Sequence, residues 1–163
     1  MPDLPMRRCL PFLSVMALMF LIGCAEHDPA RRFASGQVST NTSDAATAAA
    51  LISQHRVAHG LSPVTVDLRL TEAATAQART VAEAGTLSHG QFSSRMSAFG
   101  INGHAAENLS AGSRTVDQVI ARWEASPGHN QNLLLPQARR IGLAWAESPG
   151  LGYGRYWALV LAQ

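Results

Sequence analysis

The C-terminal end of the chain narrows the possible folds more than any other stretch. Arg140–Ala146 (RIGLAWA) and Arg155–Leu161 (RYWALVL) are short, apolar and rich in branched and aromatic residues. Glu147–Gly154 (ESPGLGYG) between them is a Gly/Pro loop. Two such runs across one turn-rich loop read as an antiparallel β-hairpin. What precedes the hairpin is mainly helical in pattern, and helices followed by a terminal hairpin argue for an α+β or three-layer α/β/α arrangement.

Three longer helices are legible. Ser43 or Asp44 can cap the first, in which Ala48, Leu51, Ile52 and His55 recur at helical spacing up to Gly60. Leu61–Val66 is a connector. Asp67 can cap the second, where Leu70, Ala73, Ala74, Gln77, Ala78, Val81 and Ala82 share one face that ends near Gly85. Small side chains along a face imply close approach to a sheet or another helix. Thr115 and Gln118 have capping-box spacing ahead of a third helix with a buried stripe of Val116, Val119, Ile120 and Trp123. That helix cannot run far past Ala125, because Pro127 biases Ser126 away from helical geometry. A short helix around Ser94–Phe99 and an extended piece at Glu107–Leu109 complete the domain, which is expected to fill 44–163.

The N-terminus is of another kind. Arg7 and Arg8 precede Leu10–Ile22, an apolar run too short for an ordinary membrane span, and so read as an export signal over 1–23. Leu21-Ile22-Gly23-Cys24 resembles the lipobox of bacterial lipoproteins, which implies removal of the signal and acylation of Cys24. Residues 24–43 then form the lipidated cysteine and a flexible polar tether. Two or more acyl chains make lasting attachment. Ala25 after the cysteine lacks the acidic residue of the enterobacterial inner-membrane pattern, so the periplasmic face of the outer membrane is the expected location where the host has two membranes.

Cysteine usage agrees with this. The chain has 2 cysteines. Cys9 lies in the signal and Cys24 carries the lipid, so the domain must rely on its core and not on disulfides. A net charge of only +2, with no basic run, argues against nucleic acid as a partner.

The chemistry rests on histidines and carboxylates. No G-x-S-x-G, H-E-x-x-H, P-loop or C-x-x-C motif is present, and Gly150-Leu-Gly-Tyr-Gly154 lies between strands where a nucleotide fingerprint does not belong. His55 reads as a packed, hydrogen-bonded histidine, and His59 as a partner of the helix C-terminus. His104 and Glu107 are three apart on an extended stretch and face opposite sides. His89 and His129 are better placed, each after a turn-forming pair. Ser126 can cap a short helix with Pro127 at its first position, which sets His129 in the first turn. The positive helix end there keeps an imidazole neutral, the form that binds metal.

Four blocks in register, LISQHRVAHGLSPVTVDLRLTEAATAQARTVAEAGTLSH, AAENLSAG, VIARWEASPGHNQNLL and IGLAWA…GRYWALVLA, resemble the CAP superfamily of SCP-like domains in its short, cysteine-free bacterial form. The resemblance covers Ala45–Ala162. It implies an α/β/α sandwich with a central antiparallel sheet and an open cleft lined by two histidines and two acids. Carried over by position, these are His89, Glu107 and His129, with Ala106 in place of a usual glycine. The second acid has no clear counterpart: Glu124 follows Trp123 directly and Ser126 stands nearer the family position.

His89 and His129 with Glu107 could hold a divalent metal weakly, zinc by preference, with Glu107 orienting an imidazole or serving as general base. The same three residues could equally form a hydrogen-bonded network that ties loops to the sheet. The expectation is therefore a lipid-anchored, monomeric CAP-domain protein whose cleft binds a lipid, peptide or cell-wall fragment. A metal-assisted hydrolase of peptide or cell-wall material and a purely structural or adhesion module are the alternatives. The incomplete acid pair favours binding.

Overall fold

The computed structural model of the protein describes residues 37–150 and 152–163. The export segment 1–23, Cys24 and most of the expected tether lie outside the described residues. Among the described residues, ten elements follow in order. They are β1 (Ser39–Asn41), α1 (Ala45–Ala58), β2 (Thr65–Val66), α2 (Leu68–Ala84), α3 (Phe92–Ala98), β3 (Ala105–Ala111), α4 (Val116–Glu124), α5 (Pro127–Leu133), β4 (Arg140–Glu147) and β5 (Arg155–Ala162).

The hairpin is the centre of the sheet. β4 and β5 pair antiparallel from Arg140↔Ala162 to Glu147↔Arg155, β3 adds antiparallel to β5, and β1 adds antiparallel to β4. β2 joins β4 in parallel, a departure from a purely antiparallel sheet. β1 also corrects the tether expectation at its end. Ser39–Asn41 carry no apolar signal, yet β4 leaves backbone groups open on its outer side and these three residues pair with them.

Alternation along the strands divides two cores. Ile141, Leu143, Trp157, Leu159 and Leu161 face one side, where Ile52 of α1, Val119, Ile120 and Trp123 of α4 and Leu133 of α5 cover them. Ala144, Ala146, Tyr156, Ala158 and Val160 face the other, against Leu70, Ala73, Ala74, Ala78, Val81 and Ala82 of α2 and Met96 of α3. The result is the expected three-layer α/β/α sandwich. The small residues of α2 do what they were expected to do: the helix lies so close to β4 that a Cβ at Gly142 would come within 2.0 Å of the Leu70 carbonyl carbon.

The helix ends follow local chemistry. Asp67 accepts from the Leu70 amide at 3.0 Å and also receives Arg140 at 2.8 Å. Thr115 caps α4 through the Gln118 amide, while the Gln118 side chain reaches back to the Arg114 amide. His59 Nδ1–H donates to the His55 carbonyl at 2.8 Å and closes α1. Asp44 stands at the α1 N-cap but does not cap with its side chain; its carboxylate instead accepts from Trp145 Nε1 at 2.8 Å.

Arg56 was not anticipated. It is fully buried, and its guanidinium donates to the carbonyls of Ser62, Leu133, Leu135 and Ala138. Burial, and then the nearby Arg139 charge, lower its pKa. A guanidinium has reserve enough to stay charged. It ties α1 to the end of α5 and so fixes the helix that carries His129.

Candidate functional site

The free edge of β3 lies where the two helical layers part. Parity decides which side chains go where. Glu107 falls on the α2 side of the sheet and Asn108 on the α4/α5 side. Glu107 is buried, with a side chain only 2% exposed, and both of its oxygens are engaged. His89 Nδ1 lies 2.9 Å from Oε1, and Arg95 Nη2 donates to Oε2 at 2.5 Å.

Arg95 is a residue that reading the sequence missed. It stands on α3, the short helix expected around Ser94–Phe99, where nothing in the sequence marked it as a partner of Glu107, and it also donates to the His89 carbonyl. A buried carboxylate needs such partners, because an unpaired charge there is costly. With a carboxylate at Nδ1, the His89 Nδ1 carries the proton and Nε2 presents a lone pair. The ring itself is well exposed, at 58%.

His129 reaches the site from α5. Ser126 is its N-cap and Pro127 its first residue, as expected. Pro127 and Gly128 are, however, helical and not a turn, and the Ser126 hydroxyl caps no amide. It pairs with His129 Nδ1 at 2.9 Å. The His129 pKa is lowered, as anticipated, but chiefly by burial and then by repulsion from His89. Burial, and not the helix end, is the leading cause.

Two asparagines lock this arrangement. Asn108 Nδ2 donates to the His129 carbonyl at 3.0 Å. Asn132 Nδ2 donates to the Glu107 carbonyl at 3.1 Å and to Asn108 Oδ1 at 2.9 Å. Both therefore bond the framework, and α5 is stitched onto β3.

Glu124 does not join the cleft. Its carboxylate lies 3.6 Å from His55 Nδ1, and His55 Nε2 meets Asn130 Oδ1 at 2.7 Å. His55 is thus the packed, hydrogen-bonded histidine it was read to be. His104 is exposed. His89 and Arg95 thus bond the Glu107 carboxylate directly, while His129 is tied to the same strand through Asn108. Among the described residues no three His, Cys, Asp or Glu side chains converge as a metal-ligand set.

A cleft of about 500 Å³ is bounded by Leu87, Leu109, Ala111, Arg122, His129 and Tyr153 among others. A larger hollow of about 700 Å³ lies at the β4–β5 loop beside Arg114 and Arg155 and contains none of the candidate residues. Of His89, Glu107 and His129, only His129 lines the smaller one.

Comparison with known proteins places the fold. Residues 49–161 match the model of the Cysteine-rich secretory protein family, CAP. The protein YkwD of Bacillus subtilis (strain 168) is 31% identical over 104 residues, which cover 60% of this chain and 40% of that relative. The chain thus spans well under half the length of that curated relative. An outer surface protein from Borrelia burgdorferi superposes with a TM-score of 0.68 at 19% identity, over 78% of this chain and 98% of that one. An extracellular SCP-domain protein from Bacillus anthracis str. Ames gives 0.62 at 20% identity, over 72% and 39% of the two chains. A family match over most of the chain, on a fold these structures share, establishes that the protein belongs to the CAP family, the cysteine-rich secretory protein family.

Proposed function

We propose that the protein is an exported CAP domain of the bacterial cell envelope, held to a membrane by lipid on Cys24, and that its cleft binds a ligand. One observation carries the binding reading: Glu107, the acid of the cleft, has both oxygens committed to His89 and Arg95. It is placed to orient an imidazole. A general base needs a free oxygen within reach of a substrate proton, and the second acid that a two-carboxylate mechanism requires points instead toward His55. The extracellular and outer-surface relatives, and the apolar run before Cys24, support export. Among the described residues no helix is long and apolar enough to cross a membrane.

We propose zinc as a weak second ligand. The Nε2 atoms of His89 and His129 would hold it, and two nitrogens with no third protein ligand make a low-affinity, open site. Bound there it would offer a Lewis-acidic position to an oxygen of the ligand. Zinc titration of the protein and of its His129→Ala and His89→Ala variants, followed by calorimetry, tests the histidine pair. Binding should be lost in both variants, and zinc heats unchanged by either substitution would remove the pair from the reading. Mass analysis tests the anchor: Cys24 should be the acylated first residue of the mature chain. A chain cleaved elsewhere and free of lipid would end the lipoprotein assignment.

A further inference from the structure

β3 is an edge strand, and its edge is chemically one-sided. The Gln163 amide donates to the His104 carbonyl and the Gly112 amide to the Arg155 carbonyl. With the antiparallel register of the pair, this sets the even-numbered residues of β3 as those bonded to β5. The odd-numbered ones turn both N–H and C=O outward. Their carbonyls are already served: Asn132 donates to Glu107 O, Trp123 Nε1 to Leu109 O and Arg122 to Ala111 O. Among the described residues, no protein acceptor takes the outward amides of Leu109 and Ala111. The edge therefore offers donors.

The surroundings point the same way. Arg122 is exposed and makes no salt bridge among the described residues, so most of its fork stays open to the cleft. Leu87 and Tyr153, both exposed, supply an apolar wall. Two backbone donors two residues apart along a strand stand about 6.8 Å from each other, the repeat of alternate carbonyls in an extended peptide. A hydrocarbon chain has nothing to place on them.

We propose that this cleft binds the C-terminal end of an extended peptide. Its carbonyl oxygens accept from the Leu109 and Ala111 amides, its terminal carboxylate meets Arg122, and an apolar side chain rests on Leu87 and Tyr153. The assignment rests on the reading of the cleft as a ligand site and names the ligand class. Edge-strand pairing of this kind is a general mode of peptide recognition, and a guanidinium is suited to a planar carboxylate.

The test uses the full chain in calorimetric titration with N-acetyl-trialanine, its C-terminal amide and octanoate. The peptide acid should bind, and amidation should weaken it at least about tenfold, the loss of one charge-assisted contact. Arg122→Gln should reproduce that loss. Ala111→Pro removes an outward amide without touching the β5 ladder, a change that edge strands accept, and should weaken the acid and the amide alike. Should Ala111→Pro fail to fold, Arg122→Gln on the exposed face of α4 still decides. Equal affinity for acid and amide, or an Arg122→Gln protein that binds as wild type, would overturn the assignment. Octanoate binding that surpasses the peptide would transfer the site to lipid carboxylates and overturn the peptide. If zinc still titrates the two histidines while no carboxylate binds, this inference falls and the cleft reading stands. If neither zinc nor any of the probes binds, both fall.

Discussion

Replacing Gly142 with alanine adds one carbon at the closest approach in the fold. Built on the present backbone, that Cβ would lie 2.0 Å from the Leu70 carbonyl carbon, 2.1 Å from the Thr71 amide nitrogen and 2.3 Å from the Leu70 oxygen. All three belong to the first turn of α2, so no side chain can swing aside to relieve them. Either α2 lifts from β4 or the strand bows. Both responses open contacts along a helix whose inward face, from Leu70 to Ala82, is almost fully buried. Overpacking in a filled core costs about 1–3 kcal/mol, and a clash with backbone belongs at or above the top of that range. Gly128 provides the control. It sits in α5 with negative φ and nothing within 4 Å of an added Cβ, so alanine there should stabilise by about 0.4–1 kcal/mol through the unfolded chain. Urea denaturation of both variants measures the contrast. A Gly142→Ala midpoint equal to wild type would mean that α2 does not lie on β4 as described.

Trp157→Ala should cost about 3–5 kcal/mol. The indole is completely buried between α4 and the sheet, and its Nε1 donates to the Ser113 carbonyl at 2.7 Å, so an unchanged denaturation midpoint would undo the sheet assignment. Stability should also fall with acid. The His129 pKa is held below the ordinary value of 6.5 by burial and by His89, so the unfolded chain takes up the proton first. That contribution is whole above about pH 6.5 and is lost as pH falls through the folded-state value. In His129→Gln the slope of stability between pH 7 and 5 should flatten, and an unaltered slope would assign the acid sensitivity elsewhere.

Periodicity and punctuation made most of the framework legible before any coordinates. The 3.6-residue stripes of α2 and α4, the Asp67 and Thr115 caps and the Gly/Pro loop between two apolar runs are local features. Each is set by a residue and its near neighbours, and each stands where it was expected. The alanine face of α2 even announced the close approach that Gly142 completes. β1 was not legible, since three polar residues become a strand only because β4 leaves its edge unpaired. The same holds for β2.

The site divides along the same line. His89, Glu107 and His129 could be singled out as candidates from the sequence, because their positions follow the family's motifs. How they relate could not, since most of the contacts that govern them span 12 to 82 residues of chain. Arg95 neutralises Glu107 across the gap between α3 and β3, Arg56 pins α5 from within α1, and Glu124 turns to His55 because helical rotation carries it off the cleft face. The spacing of residues along a chain specifies which elements can form. Which charge is satisfied, which imidazole nitrogen is left bare and which edge amides stay open depend on what packs against them, and that is settled only when the layers close.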